Sequence, residues 1–233
     1  MATTLASLGP FQRKVLEHFQ LMEYGFPVME KLEVTLNFHP DRRTLSGIPI
    51  LKAILKDGIL KSQFETGTSN GGLTAFPGGD RWKWEHAAFN GLYDDCDPAE
   101  RPKYGTLNYK CLGSGGSPRF GSSYFRLKPE VLNRTTFCYP ESYFGSKDYG
   151  ISNRVGNLIA LANADKPDLI DHYIEAHIHG KIDIQNDIDA LVMDPIYKGT
   201  SIEMFARELP FGIKWHSGFR LRVSVMEENP NYR

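Results

Sequence analysis

Between Leu32 and Phe38 apolar Leu32, Val34, Leu36 and Phe38 alternate with polar Glu33, Thr35 and Asn37, the period of a strand with one buried face. His39-Pro40 ends it, because proline brings no N–H to a ladder. Upstream, Val15, Phe19 and Met22 recur at helical spacing within residues 9–30, and Gly25 and Pro27 close that segment, which predicts an N-terminal helix. A short amphipathic helix is expected over residues 46–60, with Ser46 as N-cap, Pro49 in the first turn and Gly58 as its stop. A strand is expected within residues 122–131 and a helix within 153–170 that ends before Pro167. Residues 171–184 and 187–205 alternate strongly enough to predict two further strands, adjacent and antiparallel, and residues 212–226 predict a closing hairpin or strand pair about Ser217-Gly218.

From residue 62 to residue 122 glycine interrupts almost every pattern. Loops this long in a compact domain are functional or disordered, and the Phe, Trp and Tyr content speaks for order, so a ligand is expected to be cradled here. The elements together predict an α+β fold with an N-terminal helix and long Gly-rich loops. One domain is expected over residues 1–233, a helical segment 1–30 followed by a core at 31–233.

The net charge of −1 gives no electrostatic reason for a nucleic-acid or membrane partner. Cys96, Cys111 and Cys138 show neither zinc-site pairing nor disulfide density, so a reducing compartment is the expectation. With no leader pattern and no apolar run near the roughly 20 residues of a membrane span, the chain is expected to be cytoplasmic, or exported into another cell by a dedicated machine.

Four segments carry candidate chemistry. In NFHPDR, Pro40-Asp41 reads as a turn, while Arg42 offers a fork of donors for a phosphate and His39 a partner for a ribose hydroxyl or carboxamide. In QFETGTSNGG, residues 63–72, Glu65 stands beside Thr66, Gly67, Thr68, Ser69 and Asn70, groups that bind sugars and amides through hydroxyls, an amide and close backbone approach. In PRFGSSYF, Ser122 and Ser123 follow Arg119 and face opposite ways if they lie on a strand; the strand-to-helix setting of a hydrolase nucleophile is missing. In YIEAHIHG, Glu175, His177 and His179 project from one strand face, to bind a metal together with His39, to act in catalysis, or simply to meet solvent. Asp187, Asp189 and Asp194 are as ready to cap turns as to act.

Taken together FHPDR, QFETGTSNGGLTAFPGGDRWKWE, ERPKYGTLN, PRFGSSYFRL and YIEAHIHG resemble an ADP-ribosyltransferase-like family of bacterial and fungal proteins that long carried an uncharacterised-domain label. The resemblance implies a split β-sheet that binds NAD+ as substrate and, in some relatives, modification of arginine on a target protein by effector or toxin-like enzymes. Such enzymes take an Arg or His from the first strand, a hydroxyl residue from a second and a Glu from a later one. Arg42 or His39, then Ser69 or Ser122, then Glu175 fill those places in order. The chain has no Ser-Thr-Ser triplet and reads Glu175-Ala176-His177 where those enzymes carry Glu-x-Glu, which leaves Glu65 as a second candidate carboxylate.

The chemistry suits these groups. Breaking the nicotinamide–ribose bond passes through an oxocarbenium-like cation that a carboxylate stabilises. The pyrophosphate calls for Arg42 or Arg119, and Trp82 or Trp84 offers a ring to stack on a base. A protonated guanidine acceptor needs a second carboxylate, so Glu65 and Glu175 divide two jobs. No metal is expected on this reading. The alternatives are a metal-dependent hydrolase built on His39, His177, His179 and a carboxylate, and a module that binds a nucleotide without consuming it.

Overall fold

The computed structural model describes residues 8–22, 25–29, 31–67, 74–165, 170, 172–221 and 223. The chain is mixed α+β, and among the described residues eight strands form one mostly antiparallel sheet. In chain order the elements are α1 (Pro10–Gln20), β1 (Val34–Phe38), α2 (Ile50–Asp57), β2 (Ile59–Leu60), α3 (Gln63–Thr66), α4 (Asp80–Ala88), β3 (Lys103–Leu107), β4 (Ser123–Leu127), β5 (Thr135–Tyr139) and β6 (Asp148–Ile151). They continue with α5 (Gly156–Ala164), β7 (Ile174–Ile178), β8 (Ile182–Asp183), β9 (Ile188–Met193), α6 (Ser201–Arg207) and β10 (Ile213–Trp215). The large sheet runs β10-β9-β4-β1-β3-β7-β5-β6, and β2 pairs with β8 apart from it. Of the described helices none is long and apolar enough to cross a membrane.

At β5 and β7 both faces of the sheet are buried, and they differ in character. Register places Leu36, Phe125 and Leu191 in one row, and Gly105, Ala176 and Phe137 in another. These belong to the apolar face, on which Leu51 of α2, Leu158 of α5 and Ala206 of α6 complete the main core. The opposite face carries the rows Thr35-Thr106-Glu175-Cys138 and Tyr104-His177-Thr136. Val15 and Phe19 of α1 and Ala88 of α4 form a second apolar cluster with Phe89 and Tyr93, and Phe19 meets Tyr149 of β6 edge-on at 5.6 Å. Period-two alternation in β7 therefore sorts apolar from polar between two buried faces rather than between core and water.

Several expectations need correction. The helix at residues 46–60 begins at Ile50 with Pro49 as N-cap; Ser46 is spent on a turn, its hydroxyl 2.9 Å from Thr44 Oγ1. Gly58 does stop it, in the left-handed conformation at φ 68°. The stretch 62–122 is not all loop, since it holds α3, α4 and β3. Residues 171–184 divide into β7 and β8. Residues 187–205 divide into β9, a 3-10 turn at Pro195–Tyr197 and α6, capped by Thr200 whose hydroxyl accepts from Ile202 N. β7 and β9 are not neighbours: β7 lies between β3 and β5, and β9 between β4 and β10. Among the described residues β10 pairs parallel with β9 and His216 to Leu221 are irregular, with no partner strand after Ser217-Gly218; residues 222 and 224–226 of that expectation lie outside the described residues. The helix expected within 153–170 does end before Pro167, since α5 stops at Ala164 with Asp165 as its extended C-cap.

Candidate functional site

The sheet is weakest between β1 and β3, and the candidate site lies where it gives way. β1 and β3 are paired only at Val34↔Leu107 and Thr35↔Thr106. β4 is paired with β1 as far as Phe38, and β7 with β3 as far as Lys103. Beyond Thr35 the two strands part, and a small solvent-open cleft of about 90 Å³ is lined by Asn37, Gln63, Arg81, Tyr104, Thr106, Phe120, Tyr173 and Glu175.

The Gly-rich loop before β4 is fastened to this gap. Asn37 Nδ2 donates to the carbonyls of Ser114 and Gly121, both at 2.8 Å, and Gly116 N donates to Thr35 Oγ1 at 2.9 Å. A Cβ on Gly116 would lie 2.5 Å from Thr106 Oγ1, and one on Gly121 2.0 Å from the Phe38 carbonyl, so only glycine lets the loop come this close. The docked loop brings Phe120 edge-on to Tyr173 at 5.6 Å on the cleft wall.

Glu175 is the buried carboxylate of the cleft, 4% exposed. Its Oε2 accepts from Ser142 Oγ at 2.7 Å, its Oε1 lies 3.1 Å from His177 Nε2, and Arg81 Nη1 stands 3.7 Å away. Burial by itself raises a carboxyl pKa, but the His177 hydrogen bond, the Arg81 charge and Ser142 outweigh it, and Glu175 is held below the usual carboxylate range. Arg81 comes from the first turn of α4, donates to Ser142 Oγ at 2.9 Å and lies over the Tyr104 ring at 4.3 Å. Burial works against its charge, yet Tyr104 and Glu175 leave its pKa raised.

A second buried pair supports this wall. Glu85, fully buried on α4, accepts from Tyr104 Oη at 2.6 Å and pairs with Arg101. Glu141 lies beside the site on the same turn as Ser142, accepting from Tyr143 N at 2.7 Å, with its pKa raised by burial first and by Glu175 next.

The residues singled out from sequence fall in different places. Glu175 lines the cleft, and its neighbours His177 and His179 are fully buried, so the solvated reading of that face is overturned. Glu65 forms a capping box with Ser62, accepting from its N–H at 2.6 Å; Thr66 Oγ1 donates to the Ser62 carbonyl, and Gly67 is the left-handed C-cap. Thr68, Ser69 and Asn70 lie outside the described residues. Ser122 sits at the start of β4, its carbonyl 2.7 Å from His216 Nε2, with β1 and β3 between β4 and β7. His39 and Arg42 form the turn after β1, where Arg42 N donates to the His39 carbonyl; Arg42 is exposed, as is Arg119 next to Phe120. Trp82 stacks on His86 at 5.5 Å, whereas Trp84 packs 5.1 Å from the His177 ring. Asp194 caps Ile196 N and Asp189 pairs with Arg126, turn and surface work, whereas Asp187 accepts from Asp183 N and also pairs with buried Arg134 at 2.9 Å.

Among cleft residues, sequence reasoning missed Arg81, Gln63, Tyr104, Thr106, Asn37 and Tyr173. The available signal was alternation: Thr35 with Asn37, and Tyr104 with Thr106, share one strand face in adjacent strands.

Ligand atoms for a metal do converge in Cys138, Glu175 and His177, within 4.8 Å of one another. Two of those atoms already hydrogen-bond each other, and the Arg81 guanidinium faces the same carboxylate. His179 belongs to a different arrangement, with one ring nitrogen against Tyr93 Oη and the other against Thr136 Oγ1.

A family model described as a protein of unknown function (DUF3626) matches residues 33–164 and 152–231. No curated protein matches the chain.

Proposed function

The chain belongs to the DUF3626 family, and for it we propose NAD+-dependent ADP-ribosyl transfer to a protein side chain, arginine in the first instance, with Glu175 as the catalytic carboxylate. The observation that carries the reading is a buried carboxylate, held ionised, on the wall of the cleft where β1 and β3 part. On that feature we also read the fold as the split-sheet ADP-ribosyltransferase type.

The chemistry asks for an anion that water does not screen, close to a ribose whose C1′ becomes positive as nicotinamide leaves. Glu175 answers to this, and Arg81 and Ser142 hold its carboxylate in one orientation. Tyr104, Phe120 and Tyr173 give the cleft aromatic walls for the nicotinamide ring. Gln63 Oε1, buried and without a hydrogen-bond partner among the described residues, suits the carboxamide N–H. Arg119, beside Phe120, and Arg42, on the turn after β1, are assigned to the pyrophosphate. Glu65, occupied in capping, keeps only a supporting part, and Ser69 remains a candidate hydroxyl.

The test is release of nicotinamide from NAD+ with and without EDTA, alongside transfer of label from NAD+ to lysate protein. The reading expects turnover that chelator leaves unchanged. Turnover abolished by EDTA favours a metal reaction at Cys138, Glu175 and His177, and binding of NAD+ without any consumption favours a nucleotide-binding module.

A further inference from the structure

Behind Glu175 the polar face of the sheet continues as an unbroken file of buried side chains. Tyr93 Oη lies 2.8 Å from His179 Nδ1, His179 Nε2 lies 2.9 Å from Thr136 Oγ1, Thr136 Oγ1 lies 3.1 Å from His177 Nδ1, and His177 Nε2 lies 3.1 Å from Glu175 Oε1. The arrangement follows from register: His177 and Thr136 are partners across β7 and β5, and His179 is the next residue along the same face of its chain. All five residues are less than 5% exposed.

A neutral imidazole has one donor and one acceptor, whereas an ionised carboxylate only accepts. Both imidazoles are fully buried, with the Arg81 guanidinium 3.7 Å from the Glu175 oxygen that faces His177 and Arg134 donating to the His179 carbonyl, and a buried ring beside fixed cations favours its neutral form. His177 Nε2 must then carry the proton that Glu175 accepts, and Nδ1 is left as an acceptor. Thr136 must donate to Nδ1, and its oxygen accepts from His179 Nε2–H. His179 Nδ1 accepts in turn, and Tyr93 donates. With both rings neutral and Glu175 ionised, any other order leaves a buried group facing its like, at a cost of the size of a lost buried hydrogen bond.

We infer that this file has a single proton order, running from the Tyr93 hydroxyl to the Glu175 carboxylate, and that Thr136 and His179 are positioning residues which keep His177 a donor to Glu175. The role assigned to the file in turnover rests on the ADP-ribosyl transfer reading; the proton order does not. Ser142, on the turn after β5, donates to the other carboxylate oxygen, Oε2, while Arg81 of α4 stands 3.7 Å from Oε1, the oxygen that His177 meets, so the file reaches Glu175 from the side of the sheet and Arg81 and Ser142 reach it from the cleft wall.

Two measurements test it. Long-range ¹H–¹⁵N correlation on the ligand-free, ¹⁵N-labelled protein at pH 7 is expected to show both His177 and His179 neutral with the proton on Nε2; a proton on Nδ1 of either ring, or an imidazolium, overturns the inference. Thr136→Val, which keeps the shape and removes the hydroxyl, is expected to lower kcat for nicotinamide release about tenfold at unchanged KM, and Thr136→Ser to restore it. Wild-type kcat in a folded Thr136→Val protein overturns the positioning role. A wild-type protein that shows the expected tautomers but never consumes NAD+ overturns the transfer reading and the positioning role with it, and leaves the proton order established.

Discussion

His177 Nε2 and Glu175 Oε1 stand 3.1 Å apart on one face of β7, and both groups titrate below their ordinary ranges. The pair is thus a neutral imidazole donating to a carboxylate, not an imidazolium ion pair. Burial lowers the His177 pKa more than Glu175 raises it, and the same burial acts on His179 with no carboxylate to oppose it.

Acid should therefore destabilise the fold early. A histidine whose folded pKa is depressed contributes stability that is complete above its unfolded value of about 6.5 and is lost as pH falls through that value toward the folded one. Glu175 adds a second loss below about 4.3, where the unfolded carboxyl protonates first. Thermal unfolding followed from pH 8 to pH 5 is expected to show a falling Tm below about pH 6.5; a flat profile down to pH 5 refutes the neutral, buried state of the two rings.

Removing Arg101 should strand a charge. Glu85 is fully buried and its carboxylate is balanced by Arg101 and the Tyr104 hydroxyl. Arg101→Met is expected to cost about 3–5 kcal/mol in urea unfolding, because half of a buried pair is left alone. Tyr104→Phe removes one neutral donor and should cost roughly 1–3 kcal/mol. Equal and small effects of the two substitutions contradict the assignment.

What could be read from the chain was what periodicity records. β1 and β7 announced themselves through strict alternation, and α1 through Val15 and Phe19, both now buried against Phe89 and Tyr93. α4 gave no such signal, because Asp80–Ala88 mixes two tryptophans with charges and buries Glu85 alongside Ala88. Glu175 was visible as a polar residue on a strand. Arg81 and Gln63 were not, since their place depends on β1 and β3 parting after Thr35, a property of two strands far apart in sequence. Glu65 misled for a local reason: a carboxylate three residues after Ser62 completes a capping box as readily as a site.

Gln63 offers a test of ligand contact separate from catalysis. Its Oε1 is buried in the cleft wall without a partner among the described residues, so Gln63→Met should leave the stability of the free protein unchanged or slightly raised. The same substitution is expected to raise KM for NAD+ about fivefold to tenfold while kcat changes little, as loss of uniform binding predicts. A fall in kcat at unchanged KM places Gln63 in a different role.

Arg81 should separate in the opposite sense. It orients Glu175 through Ser142 and lies over Tyr104, so Arg81→Lys keeps a charge but loses the planar fork. Steady-state kinetics are expected to show kcat reduced about tenfold or more at similar KM. A rise in KM alone would make Arg81 a ligand-binding group instead.

The central claim is that the Glu175 carboxylate stabilises the ribosyl cation, and Glu175→Gln tests it most directly because the amide preserves size and an oxygen for His177. With NAD+ saturating and the variant shown to be folded, nicotinamide release is expected to fall by about 10²-fold or more. Release at the wild-type rate from the folded variant contradicts the account.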